Sequence, residues 1–258
     1  APFAARAEPK PDVRLLVAGV ADGRVAAGLA VDLPEGWKTY WRTPGDAGIP
    51  PAIDTGASTG LTATVTYPAP ERFDEAGYTA VGYTRSVVLP LEARLADPAK
   101  PGRLVVTVMI GLCHDVCVPF ETRLEATVDP LAPTDAAAGT AIAAARRRVP
   151  RAAVPGEPPA IVAVRRDTGP HGPRLVAEVT MPAEAAARDV FVEGPSPDWA
   201  LPQPEKLAEE GGRERWAFDL DGVPKGADLG AVDLRFTLTA GERAVEQIVR
   251  VDARPTAP

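Results

Sequence analysis

Three features of this 258-residue sequence predict an all-β chain of two sandwich domains. Short β-rich runs recur at regular spacing between Gly, Pro and Asp. Proline (29) and glycine (23) are abundant while aromatics are 5%, the composition of short strands joined by many turns. The length exceeds what one sandwich needs, and the second half reads as a shortened echo of the first.

The strand candidates of the first half are "VRLLVAGV" (13–20), "VAAGLAVDL" (25–33), "LTATVTY" (61–67), "SVVLPLEARL" (86–95), "RLVVTVMI" (103–110) and "TRLEATVD" (122–129). One stretch breaks the pattern. "TDAAAGTAIAAARRRVP" (134–150) offers Thr134 or Asp135 as an N-cap, an alanine-rich body, three arginines where a helix C-terminus favours cations, and Pro150 as a stop. It predicts a connecting helix, followed by a Pro-rich linker, before strands resume at "AIVAVRR" (160–166). The expected organisation is therefore a first domain over 1–133, helix and linker over 134–154, and a second domain over 155–258. Three short matches suggest a repeat: "YPAPERF" (67–73) with "LPQPEKL" (201–207), "RLVVTV" (103–108) with "DLRFTL" (233–238), and "RLEATVD" (123–129) with "QIVRVD" (247–252).

Composition excludes several function classes. A formal net charge of −7 argues against a nucleic-acid surface. No apolar run approaches the ~20 residues of a membrane-spanning helix, so no direct membrane insertion is expected of these residues. The chain opens "APFAARAEPKPD", without a basic segment and apolar core, and this start suits a mature exported protein. No Gly-rich phosphate loop or Ser/His/Asp arrangement is evident, and no small-molecule cofactor is implied.

The chemistry concentrates in "GLCHDVCVPFE" (111–121), which holds both cysteines of the chain, Cys113 and Cys117. Gly111 and Pro119 argue against a helix, so the pair falls between a strand ending near Ile110 and one beginning near Val118. Three readings compete. As a structural staple, a bond closing a loop of about five residues is worth roughly 2 kcal/mol, little for a domain with an ample core. As a metal site, the pair with His114 offers soft ligands suited to copper(I), yet His171, Met109 and Met181 complete no recognisable set. As a reactive dithiol/disulfide, it supplies both sulfurs that exchange needs, one to form a mixed disulfide and one to resolve it. The third reading is favoured. His114 reads as a solvated loop residue, one that beside a thiol favours thiolate, with Asp115 opposing it. Where the first half has "GLCHDVCVPFET", the second has "TAGERAVEQ", so the second domain reads as redox-silent.

Four stretches occurring in order, "LPEGWKTYWRTPGDAGIPP" (33–51), "YPAPERF", "GYTRSVVLP" (82–90) and "GLCHDVCVPFE", together resemble the periplasmic N-terminal region of the DsbD/ScsB family of transmembrane thiol:disulfide interchange proteins. The likeness is close over about 10–130, and 155–253 fit the ScsB-like branch. It implies immunoglobulin-like domains and a protein-disulfide reductase of the periplasm. Reducing equivalents would pass from membrane and thioredoxin-like domains of the same full-length protein to thioredoxin-like periplasmic proteins. The chain would then be a fragment ending in the linker "RPTAP". The resemblance assigns mixed-disulfide formation to Cys117 and resolution to Cys113. It also implies an aromatic cap over the disulfide: Phe73 matches best, with Tyr78 and Tyr83 as alternatives. "WKTYW" (37–41), Tyr40 included, either lines the partner groove or packs in the core. One departure stands out: the best-known members have five residues between the cysteines, and this sequence has three. A copper-binding module or a passive β-sandwich binding module remains the alternative.

Overall fold

The computed structural model describes residues 10–227 and 231–252. The chain forms two compact units whose main division falls between Arg147 and Arg148; two short segments, Gly45–Ala47 and Asp74–Ala80, group with the second unit, while the strands they belong to pair in the first.

In the first unit, strands β1 (Asp12–Ala21), β2 (Arg24–Asp32), β3 (Lys38–Gly45), β4 (Ala52–Asp54) and β5 (Leu61–Val65) are followed by β6 (Glu71–Glu75), β7 (Tyr78–Tyr83), β8 (Val87–Leu95), β9 (Gly102–Cys113) and β10 (Cys117–Val128). Two sheets result, β1-β2-β8-β5 and β10-β9-β3-β7-β6, with β4 also pairing β9. Alternation decides which faces meet. Along β2 and β8 the residues Val25, Ala27, Leu29, Val31, Leu89, Leu91 and Ala93 point inward, and Leu104, Val106, Val108 and Ile110 answer them from β9. Trp41 on β3 is fully buried, so one tryptophan of "WKTYW" belongs to the core.

The second unit contains β11 (Arg151–Ala152), β12 (Ala160–Gly169), β13 (Gly172–Thr180), β14 (Arg188–Glu193), β15 (Glu205–Glu210), β16 (Arg213–Asp219), β17 (Ala231–Ala240) and β18 (Arg243–Asp252). Its sheets are β12-β13-β16-β15 and β11-β18-β17-β14, closed around Leu175, Val192, Trp216, Leu234 and Phe236.

Leaving out β4, β6, β7 and β11, the two units have one topology. Strands 1-2-8-5 correspond to 12-13-16-15, and 10-9-3 to 18-17-14. In immunoglobulin terms these are the A-B-E-D and G-F-C sheets, so each unit is an immunoglobulin-like sandwich. The repeat is real, but one of the sequence matches does not belong to it. "YPAPERF" leads into β6, part of a hairpin inserted between β5 and β8, whereas "LPQPEKL" leads into β15, the counterpart of β5. The β9–β10 and β17–β18 hairpins do correspond.

Helix α1 (Ala136–Arg148) follows β10. Asp135 is its cap: one carboxylate oxygen accepts the amides of Ala137 and Ala138, at 2.9 and 3.0 Å. The Asp135 amide donates to the Ala18 carbonyl and fastens the helix start to β1. Ala138 and Ile142 pack against Leu16, Ala18, Ala26 and Val88, so the helix read as a connector lies on the outer face of the β1-β2-β8-β5 sheet. Gly28 lets it lie close, since a Cβ there would stand 2.8 Å from Val88 Cγ1 and 3.3 Å from Ile142 Cγ1.

The β17–β18 hairpin closes from Ala240 to Arg243 with no disulfide. Replacing both Cys113 and Cys117 by Ala should therefore cost about 2 kcal/mol and leave the sandwich folded. Thermal unfolding followed by circular dichroism checks this; a variant unfolded at ambient temperature would make the bond a structural necessity.

Candidate active site

The pair sits on the strands themselves. Cys113 ends β9 and Cys117 starts β10, and they are register partners across a three-residue loop, His114–Val116. β9 runs three residues beyond Ile110 and β10 begins one before Val118, because the ladder continues through Pro119↔Gly111 at the exposed edge. The sulfurs are bonded to each other, with the Cα atoms 4.0 Å apart. Their surroundings differ sharply. Cys113 is 0% exposed, while Cys117 lies at the surface between the exposed Val116 and Val118.

Strand β3 brings the next groups. It pairs with β9 through Lys38↔Cys113 and Thr39↔Leu112. Alternation puts Lys38 and Tyr40 on the face of Cys113, while the Thr39 hydroxyl donates to the Gly111 carbonyl at 2.8 Å. The Tyr40 hydroxyl stands 2.7 Å from Cys113 Sγ and 3.1 Å from Cys117 Sγ. Neither bonded sulfur carries a proton, so Tyr40 is the donor. Its ring is held between two glycines. A Cβ at Gly111 would lie 2.9 Å from Tyr40 Cδ2, and one at Gly48 2.6 Å from Cδ1. Tyr40 is thus buried beneath the disulfide, packing and lining the site at once.

Of the three cap candidates, Phe73 comes to the site. Its ring stacks on Tyr40 at 6.2 Å between centroids, with 27° between planes. Lys38 Nζ lies 5.3 Å from the Phe73 centroid. Tyr83 is in the core, its hydroxyl donating to the Pro68 carbonyl at 2.8 Å. Tyr78, at the start of β7, is 63% exposed.

His114 is not a freely solvated loop side chain. Its ring contacts Trp37 at 5.7 Å and covers the turn at Gly36, where a Cβ would meet Nε2 at 2.8 Å. Its Nδ1 faces the Asp115 carboxylate at 3.1 Å. The donors the structure gathers here are the two sulfurs, available to a metal only after reduction, and the Glu75 carboxylate, all within 4.8 Å of one another. Met181 belongs to the second core, and His171 lies in the β12–β13 turn.

Sequence reading passed over Lys38, Gly48 and Gly111 as site residues. A glycine inside a strand does mark a close approach, so Gly111 carried a usable signal. Lys38 carried none, because its role depends on which ring the fold places above it.

Chemically this is a disulfide with one sulfur open to attack, one shielded, a hydroxyl donor reaching both, and a half-buried ring beside the donor.

Residues 7–129 match the family described as Thiol:disulfide interchange protein DsbD, N-terminal. The fold is similar to the N-terminal periplasmic domain of ScsB from Proteus mirabilis. The TM-score is 0.71 and the identity 24%, over 94% of this chain and 93% of that one. No curated protein matches the chain.

If Phe73 shields the bond, Phe73→Ala should speed reduction by a small dithiol severalfold while stability changes by less than the ~3–5 kcal/mol of an emptied core site. Stopped-flow reduction and thermal unfolding of one sample separate the outcomes. A large stability loss without faster reduction would make Phe73 a core residue.

Proposed function

Because residues 7–129 belong to the DsbD N-terminal family of thiol:disulfide interchange proteins, we propose that the first unit is a periplasmic protein-disulfide reductase module working through Cys113 and Cys117. The observation that carries the division of labour is the asymmetric exposure of the pair. An incoming sulfur reaches Cys117 and not Cys113.

In the reducing direction the Cys117 thiolate attacks one sulfur of a partner disulfide. A mixed disulfide forms, and the other partner sulfur leaves as a thiolate. The Cys113 thiolate then attacks Cys117 Sγ and displaces the first partner sulfur, which leaves with the bonding pair. Two electrons pass to the partner, whose thiolates take up the two protons given up by Cys113 and Cys117. In recharging, an incoming thiolate attacks Cys117 Sγ and expels Cys113 as a thiolate inside the protein. Tyr40 is placed for that moment: a hydroxyl 2.7 Å from Cys113 Sγ can donate to the developing charge, where water cannot reach.

The partners proposed are thioredoxin-like periplasmic proteins on one side, and membrane and thioredoxin-like domains of a longer protein on the other. No helix among the described residues is long and apolar enough to cross a membrane. The cysteine-free second unit is assigned no redox step.

Single-cysteine variants test the roles. Cys113→Ser should form a stable mixed disulfide with a small aromatic disulfide at least tenfold faster than Cys117→Ser, read by mass spectrometry. Equal rates would remove the assignment. Tyr40→Phe should slow reduction of the intact pair about 10- to 100-fold, the value of a hydrogen bond to a charged group, with the fold retained. An unchanged rate would leave Tyr40 a packing residue.

A further inference from the structure

A second feature of the first unit lies away from the cysteines, beside α1. Arg24 on β2 and Arg94 on β8 are direct cross-strand partners. Their neighbours Val25, Ala93 and Leu95 point into the core, so both arginines project from the outer face. Like charges directly opposite in a sheet are destabilising. The flanking register partners bring no relief: Arg24 faces Ala21 on β1, and Arg94 faces Thr62 on β5. Several other strand arginines are paired with carboxylates, as in Arg14–Asp32, Arg103–Glu125 and Arg174–Asp167. Among the described residues no carboxylate pairs with Arg24 or Arg94.

A third guanidinium joins them. Arg146, near the end of α1, donates one N–H to the Leu91 carbonyl at 3.3 Å. All three arginines line a groove of about 700 Å³ between the helix flank and the rim of the sheet. Two acids also border it. The Asp135 carboxylate is held by the helix amides, and Asp22 sits in the β1–β2 turn. A local cluster of three arginines runs against the net charge of −7 on the whole chain.

We propose that this groove binds a phosphate group, with Arg24, Arg94 and Arg146 as donors. Each guanidinium presents paired N–H groups matched to two oxygens. A single carboxylate is filled by one such fork, whereas a tetrahedral phosphate has acceptors for all three. Its charge would relieve the Arg24–Arg94 opposition. The groove has room for the organic group the phosphate is carried on. The proposal is independent of the thiol chemistry, since no groove residue belongs to the disulfide site.

The test uses the full 258-residue chain. One arm titrates glycerol 1-phosphate by calorimetry, and the other measures flotation with phosphatidylcholine vesicles with and without phosphatidic acid, whose headgroup is likewise a phosphomonoester. Binding in the first arm assigns a soluble phosphoester; binding only to the phosphatidic acid vesicles assigns a lipid headgroup. In either case Arg24→Gln, Arg94→Gln and Arg146→Gln should each weaken binding about tenfold, the scale of one charge-assisted hydrogen bond. Arg→Lys at the same positions should also lose affinity, and the rate of thiol exchange should not change. Absence of binding in both arms overturns the proposal. So does an affinity that survives the Gln changes, or Lys variants that bind as tightly as the original, which would mark diffuse electrostatics.

Discussion

The approach of the Tyr40 ring to β9 is the contact on which the rest of the site depends. A tyrosine can lie beneath a disulfide only if the strand under it presents no side chain, and Gly111 meets that condition. Gly48 meets it on the other side of the ring. The hydroxyl then reaches both sulfurs because Lys38 is in register with Cys113, placing Tyr40 two residues on, opposite Gly111. The β9–β10 ladder carries the same constraint. It runs without a bulge from Val128↔Gly102 to Cys117↔Cys113. A slip of one residue would turn every β10 side chain to the other face and part the sulfurs. A long regular hairpin is how the fold fixes a bond at its tip.

The location of the bond also separates it from the disulfides that hold immunoglobulin domains together. Those join the two sheets through the core, between strands B and F. Here the corresponding strands are β2 and β9, and their interior positions are filled by Leu29, Leu104, Val106 and Val108, each fully buried. The Cys113–Cys117 bond joins adjacent strands of one sheet and crosses no core. Hydrophobic packing holds the sandwich in both units, and the cysteine pair is left available for chemistry.

Six strands of the first unit were legible because their apolar residues alternate, and α1 was announced by Thr134 or Asp135 and the closing arginines; β3, which carries Tyr40 and the buried Trp41, lies in none of those runs. Two further things were not legible. The inserted β6–β7 hairpin has little alternation of its own, and its Pro-x-Pro-Glu entrance imitates the entrance to β15, so sequence comparison aligned non-equivalent strands. The different exposure of the two cysteines was the second. Each stands in a similar local context, and only the pairing of β3 beside β9 buries one and leaves the other open. The roles of Cys117 and Phe73 therefore entered from family resemblance and not from local sequence. Tyr40 was visible as a residue of interest, and of its two alternatives the structure favours packing, since it is buried beneath the disulfide.

The inserted hairpin explains how one sandwich of a matched pair acquires an aromatic ring beside its disulfide. The second unit connects β15 to β16 directly, whereas the first places β6 and β7 in the corresponding connection and lays them beside β3. Phe73 arrives on that insertion and meets Tyr40 below and Lys38 beyond. As a proposed cap, Phe73 makes two weak ring contacts here, an aromatic pair of about 0.5–1.5 kcal/mol and a cation–π contact of about 0.5–1 kcal/mol. A docking partner that displaces the ring must overcome those two contacts, less than two hot-spot side chains of an interface supply. A cap rooted in the core would cost several times more to lift. Placing the ring on an added edge hairpin, clear of the sandwich interior, keeps that cost low without loosening the fold beneath it.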